Sequence, residues 1–342
     1  MKLNYNSGTH TLQTFHLFQE LMNIPSVSGE ENRIASFLME YLDKKGFYVE
    51  SIDVPTACFN VYAYHGDPHV VLSTHMDTVR PMIPFFEDKQ YFYGRGACDA
   101  KGIVAAQIMA AEKLMKAGIK NFGLLFLVEE EGESLGAKAA NNYPNDCRYL
   151  INGEPTDNKL ALGSKGSIRL DIHVQGKAAH SAYPEQGRSA IDALIGILNN
   201  LKKIKYPSHR ILGKTTLNIG MIEGGSQYNV IPDRAVAKLM FRTVSDHKDL
   251  KTKIESAVGE QGRIEYHLEC EPVLLEKVSG FDTTVVSFTT DIPNLTNWGK
   301  PILIGPGSVL DAHTAEEKIS KNELSRAIDI YFNLVVKLLK KF

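Results

Sequence analysis

Cysteine is scarce in this chain of 342 residues. The 4 present, Cys58, Cys98, Cys147 and Cys270, form no CxxC pair and no disulfide-like spacing. That pattern excludes a disulfide-stapled secreted scaffold and a zinc finger, and it implies a reducing cytoplasm. No apolar run is long enough to span a bilayer, and the opening MKLNYNSGTH lacks the charged-then-apolar layout of a signal peptide. A cytoplasmic protein without a membrane partner is therefore expected. An excess of one charge is missing too: 38 Lys+Arg against 40 Asp+Glu leave a net charge of −2. No nucleic-acid partner is expected from so weak a field. The small basic groups at Lys202, Lys203 and Lys205, and at Lys337, Lys340 and Lys341, read as solvated helix ends. Internal repeats and low-complexity tracts are absent as well.

What is present is a series of apolar runs that stop on metal-ligating residue types. Val70–Asp77, VVLSTHMD, reads as a buried strand ending on His75 and Asp77. Strand side chains alternate faces, so the two point the same way. A neutral imidazole ligates zinc, and a neighbouring carboxylate can take its other N–H. Gly94–Gly102, GRGACDAKG, is a glycine-rich turn with Asp99 just before an amphipathic helix that ends at Gly118. Asp99 there is a ligand or a helix N-cap, and Cys98 beside it reads as a small packed residue. Phe122–Glu131, FGLLFLVEEE, ends a buried strand on three carboxylates, which cannot all ionise cheaply without a balancing cation. Tyr149–Pro155 ends on Glu154, and Pro301–His313 runs through a glycine-proline turn to His313.

These candidates share one geometry. Each lies at or past the carboxyl end of a predicted strand, and in an open α/β sheet those ends form the rim where ligands bind. His75, Asp99, Glu131, Glu154 and His313 supply two imidazoles and three carboxylates. That donor set suits zinc, with cobalt as a substitute, and a pair of ions needs a bridging carboxylate, for which Asp99 is the natural choice.

Taken together, His75-Met-Asp77, Gly94-Arg-Gly-Ala-Cys-Asp99-Ala-Lys-Gly102, Glu130-Glu131, Gly153-Glu154-Pro155 and Ala312-His313-Thr314 resemble the co-catalytic zinc aminoacylase and carboxypeptidase family. The resemblance covers nearly the whole chain, in order. It implies an α/β, mixed-sheet, zinc-exopeptidase-like catalytic domain, residues 1–163 and 279–342, carrying an inserted ferredoxin-like α+β lid and dimerisation domain, residues 164–278. The alternation of SIRLDIHV, the helical run from Ser189 to Ile204, the strands TTLNIGMI and AVAKLMF, a helix from about Asp246 and the strand RIEYHLEC independently give a βαββαβ order for that insertion.

By the same resemblance, His75, Asp99 and Glu154 hold one zinc and Asp99, Glu131 and His313 a second. Asp77 orients His75, and Glu130 is the general base that activates water for attack on an amide carbonyl. Anchoring on Ser134-Leu-Gly-Ala137 sets this register; a slip of one residue would move both roles along Glu129–Glu131. His180, in GKAAHSAYP, corresponds to a histidine that reaches the partner subunit's site in a homodimer and stabilises the oxyanion. Without the resemblance it reads as an exposed loop histidine. Asn229, after Gly224-Gly225, and Arg242, at a strand end, correspond to substrate contacts, the arginine as a fork for a carboxylate. The implied function is removal of an N-acyl group from a small amino acid. The nearest branch is that of the acetylornithine and acetyl-lysine deacetylases, and the reaction it implies is deacylation of N-acetylornithine or N-succinylornithine in arginine biosynthesis, with acetyl-lysine deacetylase or succinyl-diaminopimelate desuccinylase in lysine biosynthesis and zinc dipeptidase or carboxypeptidase activities as alternatives. A non-catalytic metal-binding dimer is a remote one. No Ser–His–Asp or Cys–His arrangement is required, and no G-x-S-x-G elbow is expected.

Overall fold

A computed structural model describes residues 7–342, with side chains from residue 13 onward. The opening segment Met1–Asn6, on which the signal-peptide reading partly rests, lies outside the described residues. Six strands form one mixed sheet in the order Tyr48–Asp53, Phe59–His65, Phe122–Leu127, Val70–His75, Tyr149–Asn152, Lys300–Leu303. The first two pairings are antiparallel, and the four strands from Phe122–Leu127 onward are mutually parallel. Val70–His75, Phe122–Leu127 and Tyr149–Asn152 are buried at every position. Unbroken apolar runs are what a parallel sheet covered on both faces requires.

The alternation then sends neighbours to different cores. Leu72, Leu124, Phe126 and Ile151 pack with Ile103, Ile108, Leu324 and Tyr331 from the helices Lys101–Lys116 and Lys321–Leu339. Val71, Leu125, Leu127 and Leu150 face the other way, onto Trp298, Ala137 and Ala140. Trp298 is fully buried and donates its indole N–H to the carbonyl of Ala140 at 3.0 Å. Each such buried aliphatic or aromatic side chain is worth roughly 1.5–3 kcal/mol relative to exposure. The strand ends are therefore fixed by the best-packed part of the chain.

The chain divides into two compact units. One comprises residues up to Leu162, Leu275–Thr284 and Thr290–Phe342; the other comprises Gly163–Leu274 and Val285–Thr289. The second unit is built on a four-stranded antiparallel sheet ordered Thr216–Gly224, Arg234–Thr243, Gly166–Gln175, Arg263–Cys270. Helices Ala190–Lys203 and His247–Val258 pack Leu194, Ile197, Leu250 and Ile254 onto Ile168, Leu170 and Ile172. Ser189 and Asp246 begin these helices by accepting the N–H groups of Asp192 and Lys248, as capping side chains do. The strand–helix–strand–strand–helix–strand order and this sheet order make the insertion ferredoxin-like. The α/β fold with its inserted α+β domain is the one expected. No helix among the described residues is long and apolar enough to cross a membrane.

Candidate active site

The sheet brings the predicted ligands to one rim. His75 is the last residue of its strand. The adjacent parallel strand runs through Val128 and a left-handed turn at Glu129 (φ 58°) into Glu130 and Glu131. Glu154 stands two residues beyond Asn152. His313 follows the strand Lys300–Leu303 on a loop, with its own backbone left-handed (φ 63°). Asp99 sits just ahead of the helix Lys101–Lys116 but does not cap it: the cap position is Ala100, with no side-chain bond. The N-cap reading of Asp99 does not match this geometry.

Its two oxygens are shared between the imidazoles. His75 Nε2 lies 3.0 Å from Asp99 Oδ1, and His313 Nε2 lies 3.2 Å from Asp99 Oδ2 and 2.6 Å from Glu131 Oε1. Among the described residues, three sets of donor atoms lie within 4.8 Å of one another: His75, Asp99 and Glu154; Asp99, Glu131 and His313; His75, Glu130 and Glu131. Of the three glutamates, Glu130 and Glu131 both join these sets and Glu129 joins none. Glu129 faces elsewhere. Its carboxylate lies instead near Gly29 and Gly132.

Asp77 meets His75 through its backbone as well as its carboxylate. The nearest acceptor to His75 Nδ1 is the carbonyl oxygen of Asp77, at 3.0 Å, with the carboxylate at 3.3 Å. Both acceptors demand a proton on Nδ1, which turns the Nε2 lone pair to the rim. The Asp77 carboxylate also accepts the backbone N–H groups of Glu130 (3.1 Å) and Glu131 (3.0 Å) and the Ser28 hydroxyl (2.7 Å). One buried carboxylate thus fixes both the imidazole and the acidic turn.

The electrostatics show an excess of negative charge. Burial pushes Glu130 and Glu154 well above the usual carboxylate range, and it raises Glu131 against the opposing bond from His313. Burial disfavours a charged His75, but the bonds to Asp77 and Asp99 outweigh it and push the imidazole well above its ordinary value. Asp99 and Glu131 push His313 up to about 10. Burial alone would raise Asp99, yet His313 and His75 hold it well below the usual range. Glu154 Oε1 is buried with no hydrogen-bond partner. An orphaned carboxylate oxygen among like charges is what a cation would satisfy. The two-imidazole, three-carboxylate donor set therefore fits a metal pair, for which Asp99 would be the residue common to both ligand sets.

The remaining predicted residues lie in the inserted unit. His180 and Asn229 are neighbours there: His180 pairs with Val230 across a β-bridge, and the Ser181 N–H donates to the Asn229 carbonyl at 2.9 Å. His180 Nδ1 accepts the Ala182 N–H at 3.1 Å, so in the neutral ring the proton sits on Nε2 as a donor. Arg242, one residue from the end of the strand Arg234–Thr243, lies opposite Ser167. Burial and the nearby Arg169 lower its pKa.

Other features were not anticipated. Contrary to the expectation that no such elbow occurs, Gly132-Glu-Ser-Leu-Gly136 has the G-x-S-x-G spacing of a serine-hydrolase elbow, and Ser134 does stand left-handed (φ 52°) ahead of a short helix. No histidine hydrogen-bonds its hydroxyl among the described residues, so the triad that such an elbow serves is missing. Asp291, buried beside the cluster, has its carboxyl pushed up to about 7, chiefly by burial. Glu317 and Arg95 form a fully buried ion pair beneath the Asp99 loop. Nothing in the sequence pattern singles out Asp291, Arg95 or Glu317.

Comparisons with known proteins agree with this architecture. Residues 162–265 match the family model described as a peptidase dimerisation domain. A peptidase M20 domain-containing protein of Schizosaccharomyces pombe is 38% identical over 333 residues, covering 94% of this chain and 83% of its own length. A probable carboxypeptidase of Arthroderma gypseum is 35% identical, covering 98% of this chain and 88% of its own. Among solved structures, a tripeptidase of Staphylococcus aureus superposes with a TM-score of 0.78 at 20% identity, over 95% of this chain and 98% of its own. With the rim of candidate metal ligands, the match of its inserted domain to a peptidase dimerisation model and relatives matched over nearly its full length, the chain belongs to the M20 peptidase family.

Proposed function

We propose that this protein is a metal-dependent hydrolase that cleaves the amide bond of a small substrate bearing a free carboxylate. The observation that carries the reading is the convergence of His75, Asp99, Glu131, Glu154 and His313 around one shared carboxylate. His75, Asp99 and Glu154 would hold one ion, and Asp99, Glu131 and His313 the other. When bound, zinc or cobalt ions acidify water and polarise the scissile carbonyl. Glu130 is backbone-anchored to Asp77 and carries no role in the Asp99-centred sets. It takes the proton from the attacking water and delivers it to the leaving amine nitrogen. Its raised proton affinity suits holding that proton between the two steps. His180 presents an Nε2–H donor to the oxyanion, reaching a partner subunit's site in a homodimer. Arg242 and Asn229 hold the substrate carboxylate and backbone.

For the substrate, the relative named a probable carboxypeptidase supports release of a C-terminal residue from a short peptide. N-acetylornithine or N-succinylornithine deacylation is a second reading, favoured by the resemblance of the Val128-Glu-Glu-Glu131 turn to the deacetylase branch. The deciding assay is amine release by the zinc- or cobalt-loaded protein from dipeptides, tripeptides, N-acetyl- and N-succinylornithine and N-acetyl-lysine. Turnover of free peptides over acyl-ornithines is expected; the reverse preference assigns the deacylase. Activity that survives chelation but disappears in Ser134→Ala would replace the metal reading with a serine hydrolase.

A further inference from the structure

The Asp99 loop is folded around a buried carboxylate that belongs to the segment carrying His313. Glu317 is 0% exposed, and its Oε1 accepts the backbone N–H groups of Gly96 (3.0 Å), Cys98 (3.3 Å) and Asp99 (3.3 Å). The Cys98 thiol approaches the same oxygen at 3.7 Å. Its other oxygen takes Arg95 Nη1 at 2.5 Å, and the Gly94 N–H donates to the Glu317 carbonyl at 3.0 Å. Arg95, itself 2% exposed, is held by Nε to the Pro81 carbonyl at 3.2 Å. Successive backbone N–H groups converging on one anion form a nest. Here the anion is part of the protein.

The consequence concerns two ligands at once. Glu317 lies four residues after His313 and is bonded to the N–H of Asp99 itself. The 3.2 Å approach of His313 Nε2 to Asp99 Oδ2 therefore closes a loop that Glu317 ties at its base. His75 and Glu154 are carried on strand ends and do not depend on this tie. We infer that Glu317, with Arg95 as its counter-charge, is a positioning residue that sets the Asp99–His313 spacing. Its loss lowers affinity at the Asp99, Glu131, His313 ion position more than at the other. This rests on the metal reading given above.

The test is Co2+ titration of the chelated full-length protein, read by visible absorption and by competition with a chromophoric chelator. Wild type should take up two Co2+ per chain. Glu317→Gln and Arg95→Met should bind one of the two roughly 10–100-fold more weakly, with a changed absorption band, and Arg95→Lys should largely restore binding. A merely structural role would lower the melting temperature and leave affinity and spectrum unmoved. Wild-type uptake at both positions in folded Glu317→Gln and Arg95→Met overturns the assignment. If Glu317→Gln does not fold, Glu317→Asp decides: it keeps the charge and is one methylene too short, so unchanged affinity there also overturns it. Failure of wild type to bind Co2+ at all would remove the metal reading and this tie together.

Discussion

Both imidazoles of the cluster face carboxylates that keep them protonated, so an incoming ion must displace those protons. His313 has its pKa raised from 6.5 to about 10 by Asp99 and Glu131. In chelated protein its stabilising contribution is complete below pH 6.5 and is lost as pH rises through about 10. Metal affinity should run the opposite way, rising with pH across that window, and uptake should release protons. Calorimetric titration in two buffers of different ionisation enthalpy reads the proton count directly; equal heats in both would contradict the protonated-cluster picture. Lys101 supplies a second pH test. It is fully buried with Nζ on the Ile24 carbonyl at 2.6 Å, and burial lowers its pKa from 10.5 to about 8. The folded state then binds fewer protons than the unfolded chain between those values, so stability from this group rises with pH across them. Relative to wild type, Lys101→Met should be better at pH 7 than at pH 10.5 by ~3 kcal/mol, on a scale of about 1.4 kcal/mol per pH unit. Urea unfolding at both values measures it. Of the candidate ligands, His75, Glu131 and Glu154 were legible because each stands at or just past the end of a buried apolar strand, and Asp99 and His313 because each follows a glycine-rich turn. Glu317, Arg95 and Asp291 were not, because their chemistry comes from burial that only the tertiary fold creates.

Strand pattern set the rim, and packing set the turns that leave it. The turn bearing Glu129–Glu131 is backed by Gly136, where an added Cβ would lie 2.3 Å from the Val128 carbonyl oxygen and 2.6 Å from Asn60 Oδ1. Asn60 in turn holds Val128 and Gly136 by hydrogen bonds. Gly136→Ala should therefore displace the acidic turn, with a stability loss of about 1–3 kcal/mol and weaker metal binding; a variant equal to wild type in both would show that the turn is held elsewhere. In the inserted unit, the strand Thr216–Gly224 is a sheet edge with Met221 and Ile222 exposed at 40% and 57%. Such an edge invites pairing with a second copy. Ile222→Lys should shift a dimer towards monomer in sedimentation velocity at little cost in folding; an unchanged sedimentation coefficient would put the contact on another surface. The βαββαβ order was legible because half-buried strands alternate. The edge strand's role was not, since alternation alone does not say which strand lies outermost.

At the scale of the whole molecule, the two units hold different candidate residues: His75, Asp99, Glu130, Glu131, Glu154 and His313 in one, His180, Asn229 and Arg242 in the other. If His180 serves a partner's site, mixing inactive His180→Ala and Glu130→Ala proteins should restore part of the activity after subunit exchange, up to about a quarter for random pairing of subunits. No recovery despite proven exchange would place His180 in its own chain's site or outside catalysis. The substrate was the least legible property, because one metal rim serves peptides and acyl-amino acids alike. The central claim is that Glu130 moves the proton at a site built by the five ligands. Its most direct measurement is metal content together with turnover in Glu130→Gln. Full metal binding with turnover reduced about 10²–10⁴-fold is the result predicted for loss of a general base. Metal-loaded Glu130→Gln protein turning over at the wild-type rate would contradict it.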